Sequence, residues 1–130
     1  MAESGERDSR GRAAYASQFR LPEGEAVEEL KRVVGERMAN EAINAAGGAW
    51  LDDCLSLRDR SLVVLAALVT QGSVDTRLRV HVRWALDHGV TPAELEALAT
   101  LLAVYAGYPR ASVAMETIRQ VVAEEQSREE

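Results

Sequence analysis

The chain has one cysteine, Cys54, in 130 residues. A single thiol excludes an internal disulfide, a Cys-x-x-Cys redox pair and a thiolate zinc site. Aromatic residues make up only 5% and prolines number three, while Ala and Leu abound, a balance that favours helix over sheet. Long apolar runs are also missing: the longest, 61–70, falls far short of the ~20 residues a membrane-spanning helix needs. The opening "MAESGERDSRGR" has no apolar stretch of the kind a secretion signal carries, so the cytoplasm is the expected location. Positive charge is in short supply too, with 15 basic against 21 acidic residues and a net charge of −6. The arginines are interleaved with acids rather than gathered, and phosphate binding needs a clustered positive footprint, so nucleic acid is not an expected partner.

What is there reads as helix. The length and an apolar fraction of 47% fit one domain, 1–130, with a real core and no internal repeat. A first helix is expected around 8–19, broken by "LPEG" at 21–24. A second begins at Glu25 with Val27, Leu30, Val33 and Val34 as its buried face, is interrupted near Gly35 and resumes through Met38 and Ile43 until "GGAW" at 47–50 ends it. After a polar connection, Ser56 is the N-cap of a third helix with Asp59 three residues on and Gly72 as its stop. Its interior, 62–69, is apolar on every face, which marks a central helix rather than a buried strand. Thr91, Pro92 and Glu94 form a helix start in which each residue has its own reason: cap acceptor, preset φ and N3 carboxylate. That helix runs to Tyr105 and breaks at "YAGYP". The last, from Pro109 to about Glu125, should bury Val113, Ile118, Val121 and Val122. The expected fold is an all-α, single-domain orthogonal bundle of about six helices with mobile ends at 1–20 and 124–130.

The stretch "RLRVHVRWALDHG" at 77–89 carries both histidines. At 100° per residue Arg77, His81, Trp84 and His88 share a narrow arc beside the apolar stripe of Val74, Leu78, Val82 and Ala85. Each polar residue has two readings. His81 is a working imidazole or a satisfied histidine at the edge of the core. Trp84 is a substrate platform or packing, and His88 meets a ligand or complements the helix dipole before Gly89. Arg60 is a ligand group or an ion-pair partner, Tyr105 turns its hydroxyl into a pocket or seals a helix end, and Cys54 is a nucleophile or an inert small side chain. No metal is expected, because His81 and His88 lie ~10 Å apart along the helix and no carboxylate completes a site.

The stretch from Trp50 to Met115 resembles the γ-carboxymuconolactone decarboxylases and their wider family, which shares the fold of the alkyl hydroperoxidase D proteins. The matching residues are Trp50, "RSL" at 60–62, His81 with Arg83 two residues on, "GVT" at 89–91, and "YAG" followed by Pro109, while "ELKRVVGERM" matches more loosely. The resemblance implies a homo-oligomer, a trimer or hexamer, that needs no cofactor and removes CO2 from a small carboxylated lactone. The electrons of the departing carboxylate flow through a conjugated double bond into the lactone carbonyl, so the protein must stabilise an oxyanion and a proton must reach a ring carbon. On this resemblance His81 and Tyr105 are expected catalytic residues, and Arg77 joins them from its place one turn before His81. Arg60, Trp84, Cys54 and His88 are expected to line a dry pocket for the substrate.

Three positions depart from the family pattern. Arg77 stands where an acid commonly precedes the histidine by four residues, Asp52 replaces the loop arginine, and Leu101 replaces a frequent second histidine. A cation one turn from His81 disfavours the imidazolium, so His81 should be neutral, a base or tautomeric donor rather than an acid, and Arg77 can take over carboxylate binding. Three functions follow as expectations: a cofactor-free lyase, a catalytically silent homo-oligomeric binding protein, and a Cys54-dependent antioxidant. The last lacks a second, resolving cysteine.

Overall fold

The computed structural model describes residues 2–50, 52–72 and 74–129, with side chains from residue 5 onward. Leu51, in the loop aligned with the family's arginine-bearing segment, and Ser73 lie outside the described residues. Among these residues every regular element is a helix: α1 (Ala2–Phe19), α2 (Glu23–Val34), α3 (Glu36–Ala49), α4 (Leu57–Gln71), α5 (Asp75–Asp87), α6 (Pro92–Tyr105) and α7 (Tyr108–Glu129). The all-α class is as expected, with seven helices where about six were read. The extra one arises at Gly35, whose φ of 84° lies in the left-handed region that a side chain resists. The expected second helix is therefore two, α2 and α3. The helices group into two compact units, 1–54 and 55–130.

The first unit packs α1, α2 and α3 around Val27, Leu30, Ala39 and Ile43, with Tyr15, Phe19, Val34 and Ala42 closing the edge. Val33, expected in this face, is exposed, because six residues after Val27 the helix has turned to its far side. The chain break falls at Arg20, which takes a φ of 56°, and Gly24 lies inside α2. The helix ends within "GGAW", as the sequence implied, at Ala49 with Trp50 as its cap, but its glycines are not the stop. Gly47 and Gly48 lie inside α3, and Gly47 is buried against Arg7 and Gly11 of α1. These glycines let two helix backbones touch, a tertiary use that local propensity cannot reveal.

The second unit holds the larger core, built from Leu65 and Val69 of α4, Leu78, Val82 and Ala85 of α5, Leu95 and Ala99 of α6, Ala114, Ile118 and Val121 of α7, and Val90 between α5 and α6. Helix α4 begins as expected: the Ser56 side chain accepts from the Asp59 N–H at 3.1 Å. It packs against α5, α6 and α7, but Val63 stays exposed, so α4 is not covered on all sides. The capping box of α6 is complete, with Glu94 N–H donating to Thr91 Oγ1 at 3.1 Å and Thr91 N–H donating to Glu94 Oε1 at 3.0 Å. Arg58 of α4 pairs with that same Glu94, and Arg79 of α5 grips Glu124 of α7 with bonds of 2.6 and 2.7 Å. Val113 is exposed rather than buried, and α7 continues helical to Glu129. No helix among the described residues is long and apolar enough to cross a membrane.

Candidate active site

Helix α5 carries the polar row. Leu78, Val82 and Ala85 sink into the core of the second unit, and that anchorage turns the adjacent arc, with Arg77, His81, Trp84 and His88, along the edge of the core. Trp84 is 3% exposed and belongs to the core itself. Its ring contacts two imidazoles: the centroid of His81 is 5.9 Å away and that of His88 is 4.8 Å away, both tilted. The spacings of three and four residues make this one continuous strip of rings.

His81 is half-buried, and its pKa is pushed down to about 4. Burial is the larger cause, since the ring loses the water that would solvate a charge, and the Arg77 guanidinium adds to it. The lowered pKa is in the direction expected from Arg77, but burial, which that expectation left out, is the larger cause. Arg77 itself is exposed and, among the described residues, has no hydrogen-bond or ion-pair partner. A neutral imidazole beside an open guanidinium can accept or donate a hydrogen bond while the cation takes an anion. Replacing Arg77 with Gln is expected to raise the His81 pKa part of the way back toward 6.5 while burial holds the rest down. An NMR titration of the ring protons reads this, and an unchanged or lower midpoint would remove Arg77 from the account.

His88 ends α5 and its backbone N–H caps the helix on the Trp84 and Ala85 carbonyls. Its side chain does something the sequence did not disclose: Nδ1 lies 2.7 Å from the Oγ of Ser61 on α4. The ring also bonds to the Leu57 backbone, one turn before Ser61. Burial lowers the His88 pKa, opposed by the Asp87 charge and the Leu57 bond. Ser61 is 4% exposed, and its partner stands 27 positions away, beyond the reach of any local pattern.

The remaining expected residues fall as follows. Arg60 is buried beside Ser61 on α4. Tyr105, the last residue of α6, is 79% exposed and makes no hydrogen bond or ring contact with the α5 row among the described residues. Leu101 is exposed on the same helix. Cys54 is exposed in the first unit, its backbone N–H donating to Asp52 Oδ1 at 2.9 Å. Within the second unit, a cavity of about 340 Å³ lies where α4 ends and α5 and α7 begin, with Arg110 and Asp75 in its wall. Another of about 330 Å³ lies between α6 and α7. His81 lines neither. Among the described residues no group of three or more His, Cys, Asp or Glu is placed to hold a metal ion.

Comparison with known proteins places this geometry. The model of the carboxymuconolactone decarboxylase family matches residues 38–120, a span that takes in the whole α5 row, Ser61 and Cys54. The 4-carboxymuconolactone decarboxylase of Acinetobacter baylyi is 38% identical over 77 residues, 59% of this chain and 57% of that protein. The match thus spans little more than half the length of that relative. With the family model covering well over half of the chain and the histidine row inside it, the protein belongs to the carboxymuconolactone decarboxylase family.

Proposed function

We propose that this protein is a cofactor-free lyase that removes a carboxylate as CO2 from a small lactone acid of the 4-carboxymuconolactone type. The observation that carries this reading is His81: half-buried, held neutral at physiological pH, and one turn from the exposed guanidinium of Arg77. In the reaction the bond between the ring carbon and its carboxylate breaks, CO2 leaves, and the electron pair passes through the ring double bond to the lactone carbonyl oxygen. A neutral His81 N–H is suited to hydrogen-bond that oxygen as its charge grows, a contribution of roughly 3 to 4 kcal/mol for one aimed donor. The proton that then adds to the ring carbon comes from solvent, because an imidazole with a pKa of about 4 has no acidic proton to give at pH 7. Arg77 works best on a carboxylate that the substrate retains, since a cation on the departing one would hold back its electrons.

Self-association belongs to this reading. Val104, Tyr105 and Tyr108, where α6 meets α7, are more than 70% exposed, and Leu101 adds to the apolar surface there. Apolar surface of this kind supports a homo-oligomer, expected as a trimer or hexamer. The test is direct. Purified full-length protein is given 4-carboxymuconolactone, and both CO2 release and loss of the lactone chromophore are followed. Turnover is expected without added cofactor; none, in a folded oligomer, would leave a binding protein that has an anion-holding arginine without the chemistry.

A further inference from the structure

A buried serine and a helix-end histidine could satisfy each other and do nothing more. The arrangement around Ser61 and His88 is more specific than that. Helix α4 holds the His88 ring at two points one turn apart, the Ser61 hydroxyl at 2.7 Å from Nδ1 and the Leu57 carbonyl. His88 stands at the end of α5 immediately before Gly89, whose φ of 91° takes the chain out of the helix, so α5 itself does little to fix where that ring goes. The hydrogen bonds from α4 do. The fixed ring lies 4.8 Å from that of Trp84, which is buried, and the Trp84 ring in turn lies 5.9 Å from that of His81, one turn earlier on α5. Movement of His88 therefore removes one of the ring contacts that hold Trp84, and Trp84 is itself in ring contact with His81.

We propose that Ser61 and His88 are positioning residues: their hydrogen bond locks Trp84, and Trp84 in turn sets the orientation of the His81 imidazole. This rests on the reading of His81 as the working group. The groups that act on His88 include Ser61 and Leu57 from α4, and Trp84 and Asp87 from its own helix. The hydrogen bond to Ser61 and the packing on Trp84 hold the ring.

The experiment uses the full chain with Trp50→Phe as background, which leaves Trp84 as the sole indole. Ser61→Ala, Ser61→Thr and His88→Gln are compared by three readouts: the NMR titration of His81, the pH dependence of Trp84 fluorescence, which a protonated imidazole in ring contact quenches, and kcat against KM on 4-carboxymuconolactone. In Ser61→Ala the His81 midpoint is expected to rise by about half a pKa unit as water reaches a loosened ring. The quenching step of Trp84 weakens, and kcat falls about tenfold with KM little changed, as for a misaimed group. Ser61→Thr, which keeps the hydroxyl, restores all three. His88→Gln, which retains a donor and an acceptor but lacks the ring, should move His81 as Ser61→Ala does, and it serves if the alanine variant fails to fold. A Ser61→Ala or His88→Gln protein that is less stable to urea yet has an unaltered His81 titration overturns the proposal, since that is the signature of packing alone. If the parent protein turns over no lactone while the His81 resonance still responds to Ser61, the proposed function fails and the positioning stands.

Discussion

Gly47→Ala is expected to cost the first unit at least ~3 kcal/mol, although alanine is the better helix former by about 1 kcal/mol. A methyl group at position 47 would lie 2.7 Å from the carbonyl carbon of Arg7 and 3.1 Å from the backbone nitrogen of Gly11. At Gly11 a methyl would meet the Ile43 carbonyl carbon at 2.7 Å and its Cγ2 at 2.9 Å. Carbon atoms pack at about 3.5 to 4 Å, and here the obstructing atoms are backbone, so no side chain can rotate to relieve the clash. α1 and α3 must separate, and their separation opens the cluster of Val27, Leu30, Ala39 and Ile43. Gly5, on the same helix α1 with nothing within 4 Å of its added methyl, is the control: Gly5→Ala should be neutral or stabilising by up to ~1 kcal/mol. Urea denaturation followed by circular dichroism, with Trp50 fluorescence reporting the first unit and Trp84 the second, separates the effects. Equal midpoints for Gly47→Ala and the parent would mean that the helices do not cross as described.

The other large effect belongs to His81. Replacement by Ala is expected to reduce turnover of the lactone by 10²- to 10³-fold, the usual consequence of losing an oxyanion donor, without change in assembly. The pH profile carries the sharper expectation. Activity that needs neutral His81 should be level from pH 8 down to about 5 and fall as the ring protonates near 4, whereas an ordinary histidine would impose its limb near 6.5. A bound carboxylate on Arg77 cancels part of the depression, so the limb in kcat should lie above that in kcat/KM. Stability follows from the same shift. The folded-state pKa lies below the unfolded value, so between pH 6.5 and 4 the unfolded chain binds a proton that the folded chain refuses, and stability falls as pH falls through that window. The loss attributable to this one ring is at most about 3 kcal/mol. His81→Asn should flatten that part of the acid limb, and an acid limb identical to the parent's would show that the ring is not held neutral.

The two effects differ in how far the sequence anticipated them. The row of Arg77, His81, Trp84 and His88 was legible because a helix fixes side chains every 100°, and the neutral His81 followed from a cation one turn away. That burial outweighs Arg77 in holding it neutral was not legible, since desolvation depends on everything that packs around the ring. Nor was Ser61 as the partner of His88, because periodicity assigns residues to faces but not faces to each other.

Sequence alone determined what is local: the Ser56 and Thr91 caps, the stops at Gly72 and Gly89, the break at "YAGYP", and with them the all-α class and the family. Each of these is written in the hydrogen bonds and φ angles of a few consecutive residues. Only the tertiary structure decided that Gly47 is a crossing point, that Val33 and Val113 face outward, and that α4 holds the ring at the end of α5. Those outcomes depend on which atoms of distant residues occupy the same space, and steric exclusion and desolvation exist only once the helices have been brought together.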